Sequence, residues 1–141
     1  MMETLTVNAV VENLPEVIAF VTEPLADLGC SDRIRLQLEL VVEEAFVNIA
    51  SYAYSPATGS VTIERAVEKE PAAVCVVFKD CGVPYNPLEK PDPDITAPAD
   101  KRPIGGFGIF LVKNNVDAIS YEHKDGQNIL RIRKNLSERG K

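Results

Sequence analysis

The chain has 141 residues, 45% of them hydrophobic and 26% charged, the make-up of one ordinary globular domain over 1–141 with a core of its own. A total of 15 Lys and Arg against 21 Asp and Glu leaves a net charge of −6, so no overall cationic field exists to hold nucleic acid or an anionic bilayer. Cys30, Cys75 and Cys81 are odd in number and no two are spaced as a metal ribbon requires, no apolar run is long enough to span a membrane, and the first residues lack the basic run and apolar core of a secretory signal. A cytoplasmic protein is expected.

Thr4 to Val11 is rich in Thr and Val and partly alternates, which predicts an opening strand. Asn13 followed by Pro15 starts a helix whose apolar positions, Val17, Phe20, Val21, Leu25 and Leu28, carry it to Leu28 with a bend at Pro24 and a stop at Gly29. Ser31 and Asp32 cap a second helix running from about Asp32 into the fifties. Alternation from Ser60 predicts a half-buried strand, Glu70 and Pro71 a hairpin turn, and the apolar run from Ala72 to Asp80 a central strand. A short buried helix beginning in glycines fits the stretch from Gly106, and strands at about 118–123 and 127–133, joined through Lys124, Asp125 and Gly126, close the chain. This order lacks strict strand–helix alternation, so the fold class is α+β, a two-layer sandwich of a mostly antiparallel sheet with helices on one face.

Pro84, Pro87, Pro91, Pro93, Pro98 and Pro103 all fall between Gly82 and the cluster Gly105, Gly106 and Gly108. Structureless loops above about 12–15 residues are uncommon in compact domains unless they are lids or disordered. Proline restricts this segment without allowing helix or central strand.

Three groups of residues carry chemistry. On the second helix Glu44 and Asn48 are four apart, a base beside an amide oxygen suited to a hard cation such as Mg²⁺; the alternative is an ordinary acidic patch of Glu39, Glu43 and Glu44. At the end of the central strand Asp80 either accepts from an exocyclic amine or bonds its own backbone in a turn, and Gly82 lets another group come close. Gly105, Gly106, Phe107 and Gly108 open a helix whose free N–H groups suit a phosphate, or else serve tight packing. The spacing fits neither the dinucleotide fingerprint nor a P-loop. Lys101 and Arg102, just before the glycines, are either a solvated pair or cations that reach a terminal phosphate.

In this order the three groups resemble the GHKL superfamily of ATP-binding proteins, which includes gyrases, ATP-dependent chaperones, histidine kinases and MutL proteins. Within it, the run from Asp80 to Pro87 and the run from Gly105 to Val112 are most similar to the bacterial anti-sigma-factor serine/threonine kinases. The resemblance covers about residues 5 to 135. It implies the histidine-kinase-like ATPase sandwich, ATP with Mg²⁺, Glu44 as general base, Asn48 as the magnesium ligand and Asp80 with Gly82 at the adenine amine. It places Gly105, Gly106, Phe107 and Gly108 near the phosphates and makes about 85–104 an ATP lid. It further implies a cytoplasmic, commonly dimeric protein that holds a sigma factor and phosphorylates an anti-sigma-factor antagonist. Two positions depart from the pattern: Tyr52 stands where relatives often carry a basic or histidine residue, and Pro84 replaces the second glycine of the wider Asp-x-Gly-x-Gly motif, as is usual in this branch. His123 lies outside these motifs and reads as a structural residue on a late strand. The alternative function is a regulatory binding module of the same fold that holds ATP, or has lost it, without catalysis.

Overall fold

The computed structural model describes residues 2–54, 57–89 and 112–137. Five strands, β1 (Met2–Asn8), β2 (Ser60–Lys69), β3 (Ala72–Asp80), β4 (Ala118–Lys124) and β5 (Gln127–Asn135), form a sheet in the order β1-β2-β3-β5-β4. Every neighbouring pair among them is antiparallel. The apolar run predicted as a central strand is β3, which lies in the middle of the sheet.

The helices are α1 (Leu14–Thr22) and α2 (Asp32–Tyr52). In α2 the buried positions Ile34, Leu38, Val41, Val42, Ala45, Phe46 and Ile49 repeat at helical spacing. They join one core with Val17 and Val21 of α1 and the inward residues Ile63, Val76, Phe78 and Ile132 of the sheet. The expected helix start is observed: the Ser31 hydroxyl accepts from the Ile34 N–H at 3.2 Å.

Two boundaries differ from the sequence expectation. The opening strand begins at Met2 and ends at Asn8, because the chain must leave the sheet there to reach the helix layer; Val11–Asn13 is a 3₁₀ turn. The expected start of α1 is observed, with Asn13 at the N-cap position and Pro15 in the first turn, although the Asn13 side chain makes no cap bond and its Nδ2 donates back to the Asn8 carbonyl at 2.9 Å. The first helix ends at Thr22 rather than continuing through Leu28, with a separate 3₁₀ turn at Ala26–Leu28 stopped by Gly29 at φ 71°. Pro24 has no N–H to offer the Phe20 carbonyl four residues back. That carbonyl takes its hydrogen bond from Arg65 Nη1 of β2 at 2.6 Å, and the guanidinium also lies 4.7 Å above the Phe20 ring.

Glu70 and Pro71 form the turn between β2 and β3. Asp125 (φ 55°) and Gly126 (φ 78°) form that between β4 and β5, with both central residues in the left-handed region that a twisted two-residue hairpin favours. Residues 112–114 are helical and Val112 is fully buried, in register with the expected short helix. Its glycine-rich start lies outside the described residues. The Lys134 ammonium of β5 ties the described end down, donating to the Asn115 carbonyl at 2.7 Å and to Gln37 Oε1 of α2 at 2.8 Å. Burial pulls its pKa below the usual lysine range.

Candidate functional site

A cleft lies between the C-terminal half of α2 and the ends of β3, β5 and β4. Its walls are mainly apolar and aromatic, from Ile49, Phe78, Leu130 and Tyr52 among others, with Asn48, Asp80 and Asn128 as polar groups. Such a lining suits a flat heteroaromatic ligand oriented by few polar contacts.

Asp80 ends β3 at 5% exposure. Its Oδ1 accepts from the Gly82 N–H at 2.9 Å and from Asn128 Nδ2 at 2.9 Å. The first bond is the local turn that was one of the two sequence readings of Asp80. Both bonds fall on Oδ1, and among the described residues none reaches Oδ2, so the local turn does not exclude the other reading.

Gly82 is required by packing. A β-carbon there would stand 2.1 Å from the Ala53 carbonyl oxygen, and the neighbouring Val83 N–H donates to that oxygen at 2.9 Å. The group that approaches the glycine is thus the end of α2. Tyr54 adds a second link, accepting from the Cys81 N–H at 2.8 Å and donating to the Ser60 carbonyl at 2.7 Å. These contacts set the depth of the cleft by holding α2 against the turn after β3.

Asn48 lines the cleft and Glu44 does not. Four residues are 400° of helix, so the pair is offset by about 40° around the axis and about 6 Å along it. The carboxyl of Glu44 is half-buried, and desolvation together with the Glu43 charge raises its pKa above the usual glutamate range. The acidic-patch alternative is met only in part: Glu43 is exposed, while Glu39 is paired with Arg35 at 2.7 Å. Among the described residues no group of three or more His, Cys, Asp and Glu gathers to hold a metal ion.

Lys101, Arg102, Gly105, Gly106, Phe107 and Gly108 lie outside the described residues, as does most of the expected lid. Its first part is described: Tyr85 N–H donates to Asn128 Oδ1 at 3.2 Å, and Asn86 Oδ1 caps the turn at Pro87–Glu89 by accepting from Leu88 N–H at 2.9 Å. Tyr52 and Tyr85 meet at the cleft with ring centroids 5.8 Å apart. His123 is exposed on β4.

Sequence reasoning missed Asn128 and Tyr121, and named Tyr85 only as the start of the expected lid. Asn128 is cross-strand partner to Asp80 and hydrogen-bonds the Tyr121 hydroxyl. The available signal was an Asn two positions past a hairpin glycine, where an apolar strand residue is the usual occupant; the structure buries it to 7% exposure.

No helix among the described residues is long and apolar enough to cross a membrane. Residues 7–134 match the histidine kinase-like ATPase domain family. The serine/threonine-protein kinase BtrW of Bordetella bronchiseptica is 30% identical over 102 residues, which cover 72% of this chain and 71% of that protein. The serine-protein kinase RsbW of Bacillus cereus is 27% identical over 95 residues, covering 66% of this chain and 59% of RsbW, so the match spans less than two thirds of that relative. Two solved structures share the fold. The RsbU and RsbW domains of Rv1364c from Mycobacterium tuberculosis superpose with a TM-score of 0.65 at 15% identity, over 96% of this chain and 32% of that one. The histidine kinase domain of a blue-light activated kinase from Erythrobacter litoralis gives 0.56 at 16% identity, over 91% and 61%. The five-stranded antiparallel sheet backed by α1 and α2, the cleft between them and these matches together place the chain in the histidine kinase-like ATPase domain family, in its branch of serine/threonine-protein kinases of the BtrW and RsbW kind.

Proposed function

We propose that the chain, acting over 1–141 as one domain, binds ATP with Mg²⁺ in this cleft and phosphorylates a serine or threonine of a partner protein. The partner is an anti-sigma-factor antagonist, and the same protein, as a cytoplasmic homodimer, sequesters a sigma factor. The observation that carries the nucleotide reading is the Asp80 carboxylate, buried in the lining of a mainly apolar cleft, with Oδ1 engaged and Oδ2 bonded by no described residue. An adenine amine has the donor hydrogens this arrangement lacks.

Asn48, on the cleft wall, offers an amide oxygen for Mg²⁺, which when bound neutralises charge on the phosphates. With no carboxylate cluster among the described residues, the remaining ligands would be phosphate oxygens and water, the usual manner for this ion. Gly105, Gly106, Phe107 and Gly108 are assigned to the phosphates through their backbone N–H groups, with Lys101 and Arg102 beside the terminal one. Glu44 is assigned the proton of the attacking hydroxyl. Its raised pKa brings its basicity nearer to the working pH, as a general base requires. The partner's hydroxyl oxygen then bonds the terminal phosphorus, ADP leaves, and the proton rests on Glu44.

Calorimetric titration with ATP, with and without Mg²⁺, paired with transfer of labelled terminal phosphate to an antagonist domain, tests this reading. Magnesium-dependent binding and labelling of a serine or threonine are expected, and absence of binding overturns it. A second reading, a nucleotide-holding module without catalysis, is favoured by the position of Glu44 outside the cleft lining. It predicts binding with no transfer.

A further inference from the structure

The helix α2 is apolar on two opposite sides. Its buried positions, from Ile34 to Ile49, all point to one side of the axis. At about 100° per residue, Leu36, Leu40 and Val47 fall within about 40° of one another and about 180° from the mean direction of the buried set, where a surface helix ordinarily carries charge. Leu36 is 57% exposed, and Leu40 and Val47 are half-buried. A lone exposed leucine needs no explanation, but three apolar side chains in one line over about 16 Å of helix form a strip of the kind that marks an interaction surface.

Two acids border this strip. Around the helix the order is Glu43, Leu36, Val47, Leu40, Glu44 and Asn48, so the strip runs from the exposed Glu43 to Glu44 and on to the cleft wall at Asn48. Glu44 lies outside the cleft lining, so a hydroxyl delivered to it arrives over this outer face. Charge decides what can bring it. A second copy packed on the strip about a two-fold axis would set Glu43, near the strip's midpoint, against its own counterpart, and an anionic bilayer would meet both acids. A segment carrying Lys or Arg meets Glu43 favourably and offsets the charge that Glu43 already sets against Glu44. Arg33 of α2 stands beyond the Leu36 end, about 15 Å along the axis from Glu43, so the acidic character belongs to the part of the strip nearer the cleft.

We propose that the outer face of α2 docks the serine- or threonine-bearing segment of the partner protein, an apolar segment whose basic residue meets Glu43, so that its hydroxyl reaches Glu44. Leu36, Leu40 and Val47 supply the contact area, and Glu43 sets the choice of segment. The inference rests on the proposed kinase reading and goes beyond it by naming the surface that receives the protein substrate and the chemistry of the segment it takes.

The test uses short synthetic peptides, each with one serine and several leucines, that differ only in carrying arginine or glutamate beside the serine. Their binding to the full chain with ADP and Mg²⁺ is read by fluorescence anisotropy, and transfer from labelled ATP is read separately. Wild type is expected to bind the arginine peptide about fivefold more tightly than the glutamate peptide, the scale of exchanging an attractive exposed charge contact for a repulsive one. Glu43→Lys should reverse that order. Leu36→Ser should weaken both peptides by about tenfold with their ratio kept. ATP affinity and the thermal melt should stay at wild-type values in both variants, since both side chains are exposed and outside the cleft lining. An unchanged preference in Glu43→Lys, or no binding of either peptide to a wild type that binds ATP, overturns the inference. So does a Leu36→Ser variant that keeps peptide affinity and instead dissociates a dimer in sedimentation, which would make the occupant a second copy. Binding that follows these expectations with no labelling overturns the kinase reading and leaves the docking surface standing, whereas labelling indifferent to both substitutions overturns the inference alone.

Discussion

The carbonyl oxygen of Ala53, just past the end of α2, lies where a β-carbon of residue 82 would have to be, 2.1 Å away, and accepts the Val83 N–H at 2.9 Å. Helix and strand-end are thereby locked at the cleft. Gly82→Ala is expected to cost about 1–3 kcal/mol, because the atom it meets is backbone and cannot swing aside. Urea denaturation measures this, and an unchanged midpoint would contradict it. Nucleotide affinity should fall with stability, since Ala53 and Val83 both line the cleft.

Asp80→Asn should weaken ATP binding about tenfold or more, with little loss of fold. The Gly82 N–H and Asn128 Nδ2 both need an oxygen, so an Asn at 80 would give them its only one and turn its NH₂ toward the ligand amine. Calorimetry alongside a thermal melt separates the two effects.

For Glu44→Gln, the expectation is unchanged ATP affinity with phosphoryl transfer reduced by roughly 10²–10⁴. In the wild type, transfer should fall as pH drops through the raised glutamate pKa. Stability moves the other way. A carboxyl whose pKa is higher folded than unfolded favours the fold below its unfolded value, and that contribution is lost as pH rises through the folded value. Near neutral pH, Glu44→Gln should therefore be as stable as wild type or more so, with its advantage fading in acid. Denaturation at several pH values checks the sign.

Arg65→Met removes the donor to the Phe20 carbonyl and the pair with Glu23 at 3.1 Å, and should cost about 1–3 kcal/mol. The part due to that carbonyl can be isolated. Pro24→Ala restores an N–H four residues beyond Phe20, so the double variant should be more stable than Arg65→Met alone. Additive losses would show that Phe20 is not the shared element.

Local chemistry explains what could be read from the residues alone. The Ser31 cap, the helical repeat of α2, the alternation of β2 and the Asp125–Gly126 turn each act within a few positions, and each appears where expected. The end of α1 was misjudged because its apolar spacing continues past Pro24; the missing N–H is compensated by Arg65, 45 residues away from Phe20 in the chain. Asp80 and Asn48 announced themselves by residue type in apolar runs. Asn128 did not, because its meaning comes only from register: 48 positions separate it from Asp80, and nothing local says that β5 will enter the sheet between β3 and β4. Glu44 lies outside the cleft lining although it shares a helix face with Asn48, because one helical turn also separates the two by about 6 Å along the axis, which a shared-face argument does not weigh.

The cleft draws its walls from α2, β3, β4 and β5, so no shorter stretch of chain contains it. Any molecule that fits it recognises the finished tertiary structure and is invisible to the unfolded chain. Such a molecule adds RT ln(1 + [L]/Kd) to the stability of the fold, about 2.7 kcal/mol at a hundred times the dissociation constant. If the cleft holds nucleotide as proposed, that nucleotide would act as a conformational staple, and its depletion would loosen the domain.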